Sequence, residues 1–434
     1  MKREILEKLV KWKNKPNRKP LILNGARQVG KTYILEEFGK EHFENVCKID
    51  FNNNENYKNI FERDFNIDRI ITELNAITSL KIIKGKTLII FDEIQEAPRA
   101  ITSLKYFCEN ANDYVVACAG SLLGVAIHKN TSFPVGKVNL MTMYPMTFIE
   151  FLDAMGKEGL AKLLRDEDYE SINDLSEEYN YLLKQYMIVG GMPEVVKEFV
   201  TNNDYVEVRK IQKEIIKMYD NDFSKHIEDQ KELLKTRQVF NTIPKELAKE
   251  NKKFVLRDIE HGARLSKYEV AIQWLVDAGI IYKIHNVENI RTPLSAYKKL
   301  DNFKTYLVDV GLLGAMSSLN YGAIIEGNRL FIEFKDALAE QYICQELMYR
   351  YNDELYFYSE SSSKLQVDFL IQSKNEPIPI EVKSGNVVQA KSMKEYIKKF
   401  NPSYAIRFSL LKNKQDDVIK NYSLWSVPFN SYPL

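Results

Sequence analysis

A chain of 434 residues is too long for one ordinary core, and at about 150 residues per domain it is expected to fold as about three. Its 45% hydrophobic and 28% charged residues are those of a soluble globular protein. With 61 basic against 60 acidic residues there is no global field for nucleic acid, so any such surface must be a local patch. Cys47, Cys108, Cys118 and Cys344 are scattered without C-x-x-C spacing and only five histidines accompany them, which argues against a disulfide framework or a zinc site. The N-terminus has no apolar signal region, and the longest apolar stretch, 115–127, holds two glycines and is too short to span a bilayer. A cytoplasmic protein without membrane contact is therefore expected.

From residue 1 to about 150 the pattern alternates strand and helix, as in an α/β parallel sheet covered by helices on both faces. A short apolar run at 20–24 leads into Gly25-Ala26-Arg27-Gln28-Val29-Gly30-Lys31-Thr32, the G-x-x-x-x-G-K-[ST] spacing, and residues 33–38 continue with helical periodicity. The glycines let the backbone wrap so that its N–H groups point at phosphate oxygens. Lys31 supplies charge at the β- and γ-phosphates, Thr32 supplies a hydroxyl for Mg²⁺, and the helix start adds its dipole.

Residues 46–51 read as a second strand. Residues 87–91 form a continuous apolar run, the mark of a strand covered on both faces, and it ends in Asp92-Glu93. Two acids at the end of a buried strand are expensive unless a cation or polar cleft receives them. Asp92 fits a Mg²⁺ holder at a strand end taken to be adjacent to that of Thr32, and Glu93 fits the base that orients the attacking water. A further strand at 114–119 runs into Gly120-Ser121, where the Ser121 hydroxyl can sense a γ-phosphate or simply cap a turn.

From 147 to about 226 the chain reads as helices only, broken at Gly190-Gly191-Met192-Pro193. From about 237 to 316 it reads as a winged helix: an extended segment at 254–259, a helix opened by Ser266 with apolar residues at Val270, Ala271, Trp274, Leu275 and Ala278, then a wing strand from 280. In a DNA-binding reading, Ser266, Lys267 and Tyr268 form the exposed turn that enters the groove; a protein contact is the alternative.

In the last segment Glu381 and Lys383 are two apart on a strand and so share a face. A turn at Lys374-Asn375 sets Asp368 opposite Glu381, where the two carboxylates can share a Mg²⁺ and Lys383 can orient a water. Pro379 is expected to confine that strand to a bulge or a one-sided ladder. The other reading of these residues is a salt-bridge cluster used only for binding.

The series GARQVGKT, IIFDEIQ, AGSLLG, SFPVGKV followed by YPMTFIEF, and GGMPEVV resembles the AAA-superfamily, archaeal-type and STAND-like P-loop ATP-binding proteins of bacteria and archaea that carry a C-terminal PD-(D/E)XK nuclease-like domain. The resemblance implies an ATPase core at 1–150 with Walker A and Walker B motifs, a helical lid at 151–236, a winged helix at 237–320 and a small α/β nuclease-like domain at 321–434. It implies ATP and Mg²⁺ as cofactors, with Gly25 to Thr32 and Asp92 holding the nucleotide, Lys31, Glu93 and Ser121 serving hydrolysis, and Lys137 near the nucleotide. It also implies Glu340, Asp368 and Glu381 as metal ligands beside Lys383. The resulting expectation is an ATP-hydrolysing switch controlling a nuclease-like domain on DNA or other nucleic acid. The alternative is a regulatory or signalling ATPase, acting through protein partners or as a homo-oligomer, whose later domains only bind.

Overall fold

The computed structural model describes residues 1–121, 133–249, 254, 265–322, 332–351, 355–360, 365–374, 376–385 and 391–428. The chain forms two compact units: Arg3–Tyr144 with Trp274–Ile280, and the remainder, chiefly Pro145–Gln273 and Ile281–Leu434.

The first unit is built on a parallel sheet of β1 (Leu21–Asn24), β2 (Asn45–Asp50), β3 (Thr87–Asp92), β4 (Val115–Ala119) and β5 (Asn139–Thr142) in the order β2-β3-β4-β1-β5. Every residue of β3 is buried, as its continuous apolar run requires. On one face Ile49, Ile89, Phe91 and Cys118 join Phe61, Leu74, Leu104 and Phe107 from the helices Glu55–Glu62, Ile67–Thr78 and Pro98–Asn110 in one core. On the other face the helix Lys31–His42 sets Gly39 against Val46 and Leu88. One expectation is corrected: the ends of β1 and β3 are not adjacent, because β4 pairs with both and lies between them.

In the second unit the segment after Thr147 is helical as expected, from Phe148–Ala154 through Tyr205–His226 to Gln230–Leu247, and a Thr147/Glu150 capping box opens it. The break at 190–193 is held from outside its own sequence. Asp309 accepts from Gly191 N (2.6 Å) and from Leu312 N (3.0 Å), the latter at the start of the helix Val310–Met316. A Cβ at Gly190 would lie 2.2 Å from Asp309 Oδ1, and one at Gly191 would lie 2.1 Å from the Met146 carbonyl oxygen, so both positions need glycine.

The strand expected from 280 is β6 (Ile281–Val287), which pairs antiparallel with β7 (Lys298–Leu307). The pair is the edge of a larger sheet whose other strands are β8 (Leu355–Ser359), β9 (Gln366–Ser373), β10 (Glu376–Val382), β11 (Ala405–Ser409), β12 (Lys414–Asp416) and β13 (Ile419–Ser423), in the order β12-β13-β11-β10-β9-β8-β6-β7. The helix Leu265–Asp277 also differs from expectation. Tyr268 is buried with its hydroxyl donating to Gln238 Oε1 (3.3 Å), Val270 is 64% exposed, and of the turn expected to enter a groove only Ser266 and Lys267 face solvent. Of the extended segment expected at 254–259, only Phe254 is among the described residues, and its N–H donates to Phe303 of β7.

β9 and β10 pair in the register expected from a turn at 374–375, Ser373 against Glu376 through Phe369 against Ile380, although Asn375 itself lies outside the described residues. Pro377 and Pro379 fall where β10 is laddered to β9 alone, since β11 joins only from Ile380 on, so neither proline breaks a two-sided ladder.

The helix Ile332–Tyr351 is buried along much of its length and carries four polar side chains inward. Gln341 takes the place of a neighbouring strand for the end of β7, accepting from Leu307 N (2.9 Å) and donating to Leu307 O (2.7 Å). Gln345 accepts from Val310 N (3.0 Å), Glu346 accepts from Phe148 N (2.9 Å), and Glu340 belongs to the cluster described below.

Asp309→Ala leaves two buried N–H groups without their acceptor and removes a helix cap, so it is expected to lower stability by about 2–3 kcal/mol. Urea unfolding monitored by circular dichroism measures it; a shift below about 0.5 kcal/mol would mean that water replaces the carboxylate.

Candidate functional site

The turn after β1 is set by three left-handed or glycine-only conformations, Gly25 (φ 139°), Gln28 (φ 67°) and Gly30 (φ 91°). A Cβ at Gly25 would fall 2.2 Å from Met143 O, so that glycine lets the loop pass beside the chain following β5. Gly30 caps the helix Lys31–His42 without a side-chain acceptor, which leaves the helix N–H groups free of the protein cap that would compete with an anion. Arg3 steadies the turn from the N-terminal side, donating to Val29 O (3.1 Å) and Tyr144 O (2.7 Å). Sequence reasoning missed Arg3, because nothing local marks a residue that acts 26 positions away.

Lys31 is buried, and its ammonium donates to the carbonyls of Gly25 (2.8 Å) and Ala26 (2.7 Å) within its own loop. Burial pushes its pKa down to about 8, Glu93 opposing and Arg27 adding. Thr32 Oγ1 donates to Asp92 Oδ1 (2.7 Å), spanning the end of β4. Burial raises the Asp92 carboxyl, while Thr32 and the Lys48 ammonium at 3.5 Å work against that rise. Glu93 turns off the strand in the left-handed region (φ 50°) and accepts from Gln95 Nε2 (2.5 Å). Ser121 is buried just beyond β4, the neighbour of β1, and its hydroxyl has no hydrogen-bond partner among the described residues. Lys137 instead pairs with Glu109 (2.8 Å) at the surface.

These residues fit a Mg²⁺–nucleotide. Thr32 and Asp92 offer two hard oxygen ligands in contact, the number Mg²⁺ takes from protein when phosphates and water supply the rest. When bound, the ion supplies positive charge at the β- and γ-phosphates. The exchangeable carbonyl contacts of Lys31 and the orphan hydroxyl of Ser121 both suit an anion entering the loop.

The second site lies on the larger sheet. Asp368 Oδ2 accepts from Val382 N (2.8 Å), so Asp368 reaches the strand end that carries Glu381. Glu381 pairs with Lys383 (2.5 Å), while its Oε2 is buried without a hydrogen-bond partner among the described residues. Burial and the nearby Asp368 carboxylate raise the Glu381 carboxyl, with Lys383 opposing. Burial works against the Lys383 ammonium, but Glu381 and Asp368 hold its pKa above the ordinary value.

Two residues that sequence reasoning missed complete the cluster. Lys304 on β7 has a fully buried side chain and stands 2.9 Å from Glu340 Oε1, 3.4 Å from the Asp368 carbonyl oxygen and 4.0 Å from Asp368 Oδ1. Tyr306 donates its hydroxyl to the same Glu340 oxygen. Residues 304 and 306 share a strand face, but a Lys and a Tyr in a hairpin carry no signal that they meet a helix 34–36 residues later. Among the described residues no group of three His, Cys, Asp or Glu is arranged to hold a metal ion.

Residues 17–152 match the AAA domain family, and two domains of unknown function match 180–322 (DUF8612) and 335–432 (DUF4143). The AAA match falls chiefly on the first unit, whose five-stranded parallel sheet flanked by helices is that of a P-loop ATPase fold. No curated protein matches the chain. Among solved structures it is similar to the Walker-type ATPase PABY2304 of Pyrococcus abyssi, with 14% identity over 73% of this chain and 95% of that one and a TM-score of 0.43. It is also similar to the Aeropyrum pernix ORC1 protein in complex with DNA (13% identity, 74% and 91% covered, TM-score 0.25) and to Cdc6p from Pyrobaculum aerophilum (12%, 74% and 93%, TM-score 0.26). Likenesses this weak bear on neither partner nor activity. No helix among the described residues is long and apolar enough to cross a membrane.

Because the pKa of Lys31 lies near 8 before nucleotide binds, ATP affinity is expected to be flat up to about that pH and then to weaken about tenfold per unit as the empty loop loses its ammonium. Fluorescent-nucleotide titration between pH 7 and 10 measures it. A Kd constant across that range would contradict the lowered value.

Proposed function

We propose that the protein is an ATP-hydrolysing switch in which Lys31 and the loop 25–32 bind the phosphates, Thr32 and Asp92 hold Mg²⁺, and Glu93 accepts the proton of the attacking water. The water oxygen bonds to the γ-phosphorus as the bond to the β,γ-bridging oxygen breaks, giving ADP and phosphate. The observation that carries this reading is the Thr32–Asp92 contact of 2.7 Å, with Glu93 the next residue along. Ser121, whose hydroxyl has no hydrogen-bond partner among the described residues, is the γ-phosphate sensor in this scheme.

Of the two readings of the C-terminal region, the one that binds without cutting has a specific observation in its favour. The Lys304 ammonium already stands 2.9 Å from the Glu340 carboxylate oxygen and 4.0 Å from the Asp368 carboxylate that a nuclease would offer to metal. Nucleotide state is then signalled to a bound partner, a nucleic acid or a protein, and the exposed Lys267 is a candidate contact.

Glu93→Gln keeps the size of the side chain but removes the base. It is expected to bind ATP within about threefold of the wild type and to hydrolyse it about 10²–10⁴ times more slowly, whereas Lys31→Ala loses binding itself. Nucleotide titration and phosphate release separate the two effects. Wild-type turnover in Glu93→Gln would assign the base elsewhere.

A further inference from the structure

We infer that Lys304 is the permanent cation of the Glu340/Asp368/Glu381 cluster, filling the place that paired carboxylates invite a divalent metal to take. The inference rests on the non-cleaving reading of the C-terminal region and says what holds the site in that state.

Mg²⁺ requires oxygens at about 2.0–2.1 Å, and Ca²⁺ at about 2.3–2.6 Å. An ion at either distance from Glu340 Oε1 would have to share that oxygen with the Lys304 ammonium at 2.9 Å, which also stands 4.0 Å from Asp368 Oδ1 and 3.4 Å from the Asp368 backbone carbonyl oxygen. The ammonium cannot step aside into water, because its side chain is wholly buried and lies near the rings of Phe357 and Phe369, 5.1 Å and 5.9 Å from their centroids. Glu340 is doubly engaged, accepting from Tyr306 as well. The remaining acid, Glu381, has Lys383 on one oxygen, while its other oxygen has no hydrogen-bond partner among the described residues.

An independent feature prevents the strand from withdrawing its lysine. Gln341, the residue after Glu340, holds both the N–H and the carbonyl of Leu307, three positions beyond Lys304 on β7. Lys304 and Gln341 thus fasten the same strand to the same helix from opposite partners: a charge on the strand meets the helix, and an amide on the helix meets the strand. To admit a metal, the protein would have to expel a buried ammonium while those bonds keep β7 in place, leaving a charge without its carboxylate in an apolar surround.

The test uses the full chain without nucleotide and Mn²⁺ alone, with free Mn²⁺ counted by electron paramagnetic resonance. Wild type and Asp368→Asn are expected to titrate identically, because Asp368 holds no metal. Lys304→Met is expected to gain one Mn²⁺ site per chain, and the Lys304→Met/Asp368→Asn double variant to lose it. A wild-type site that disappears in Asp368→Asn overturns the inference, as does a folded Lys304→Met that gains no site. Should Lys304→Met fail to fold by circular dichroism, the comparison of wild type with Asp368→Asn still decides. Plasmid incubated with Mg²⁺ separates the inference from the reading beneath it: Mn²⁺ held at Asp368 without cleavage overturns the role of Lys304 alone, and cleavage that requires Asp368 overturns both.

Discussion

A buried ammonium must be met by oxygen, and the kind of oxygen decides whether it can move. Lys31 is met by two neutral carbonyls of its own loop, and burial lowers its pKa to about 8. Phosphate is a stronger partner than a carbonyl, so this ammonium is poised to exchange one for the other. Lys304 is met by the Glu340 carboxylate and by Asp368, from a helix and a different strand, and no ligand offers it better. The two lysines thus differ in kind: Lys31 is met within its own loop by neutral carbonyls, Lys304 by a carboxylate from another element.

The parts of the candidate nucleotide site are local in the sequence. A glycine loop between strand and helix, and an apolar run ending in two acids, are each written within about ten consecutive residues. The pairing of Asp368 with Glu381 was also legible, since a hairpin register follows from the position of its turn. What the sequence hid depends on distant partners. That β4 would lie between β1 and β3 is a matter of sheet order, which strand patterns do not record. Arg3 at Val29 and Lys304 at Glu340 are contacts between elements whose separation in the chain carries no code. Tyr268 misled for a different reason: near the start of a helix its exposure depends on what packs there, and Gln238 does.

The helix Ile332–Tyr351, of which 337–349 reads as a helical run in the sequence, gives no sign there of which residues it buries. A helix that buries Glu340, Gln341, Gln345 and Glu346 beside Leu338, Ile343 and Leu347 has no polar face for a pattern to find. Its polar residues serve as internal partners for backbone left unpaired at the end of β7 and at the starts of two helices. The β6–β7 pair is consequently tied to this helix by side chains and to β8 by the sheet.

Buried polar contacts also restrict where the helical region can bend. A Gly-Gly-x-Pro break reads as a hinge, yet Gly190 and Gly191 are glycines because Asp309 and the Met146 carbonyl leave no room for a Cβ. Asp309 is wholly buried, and burial raises its carboxyl to about 6 even though backbone N–H groups of Gly191, Leu312 and Gly311 draw it down. A joint wedged against backbone on one side and gripped by a buried acid on the other is costly to open, since opening strands both the carboxylate and its donors. Motion of the helices therefore has to bend at positions other than this break, with the segment from Gly190 to Pro193 carried along as one rigid corner between the helices Ser176–Val189 and Pro193–Asn202.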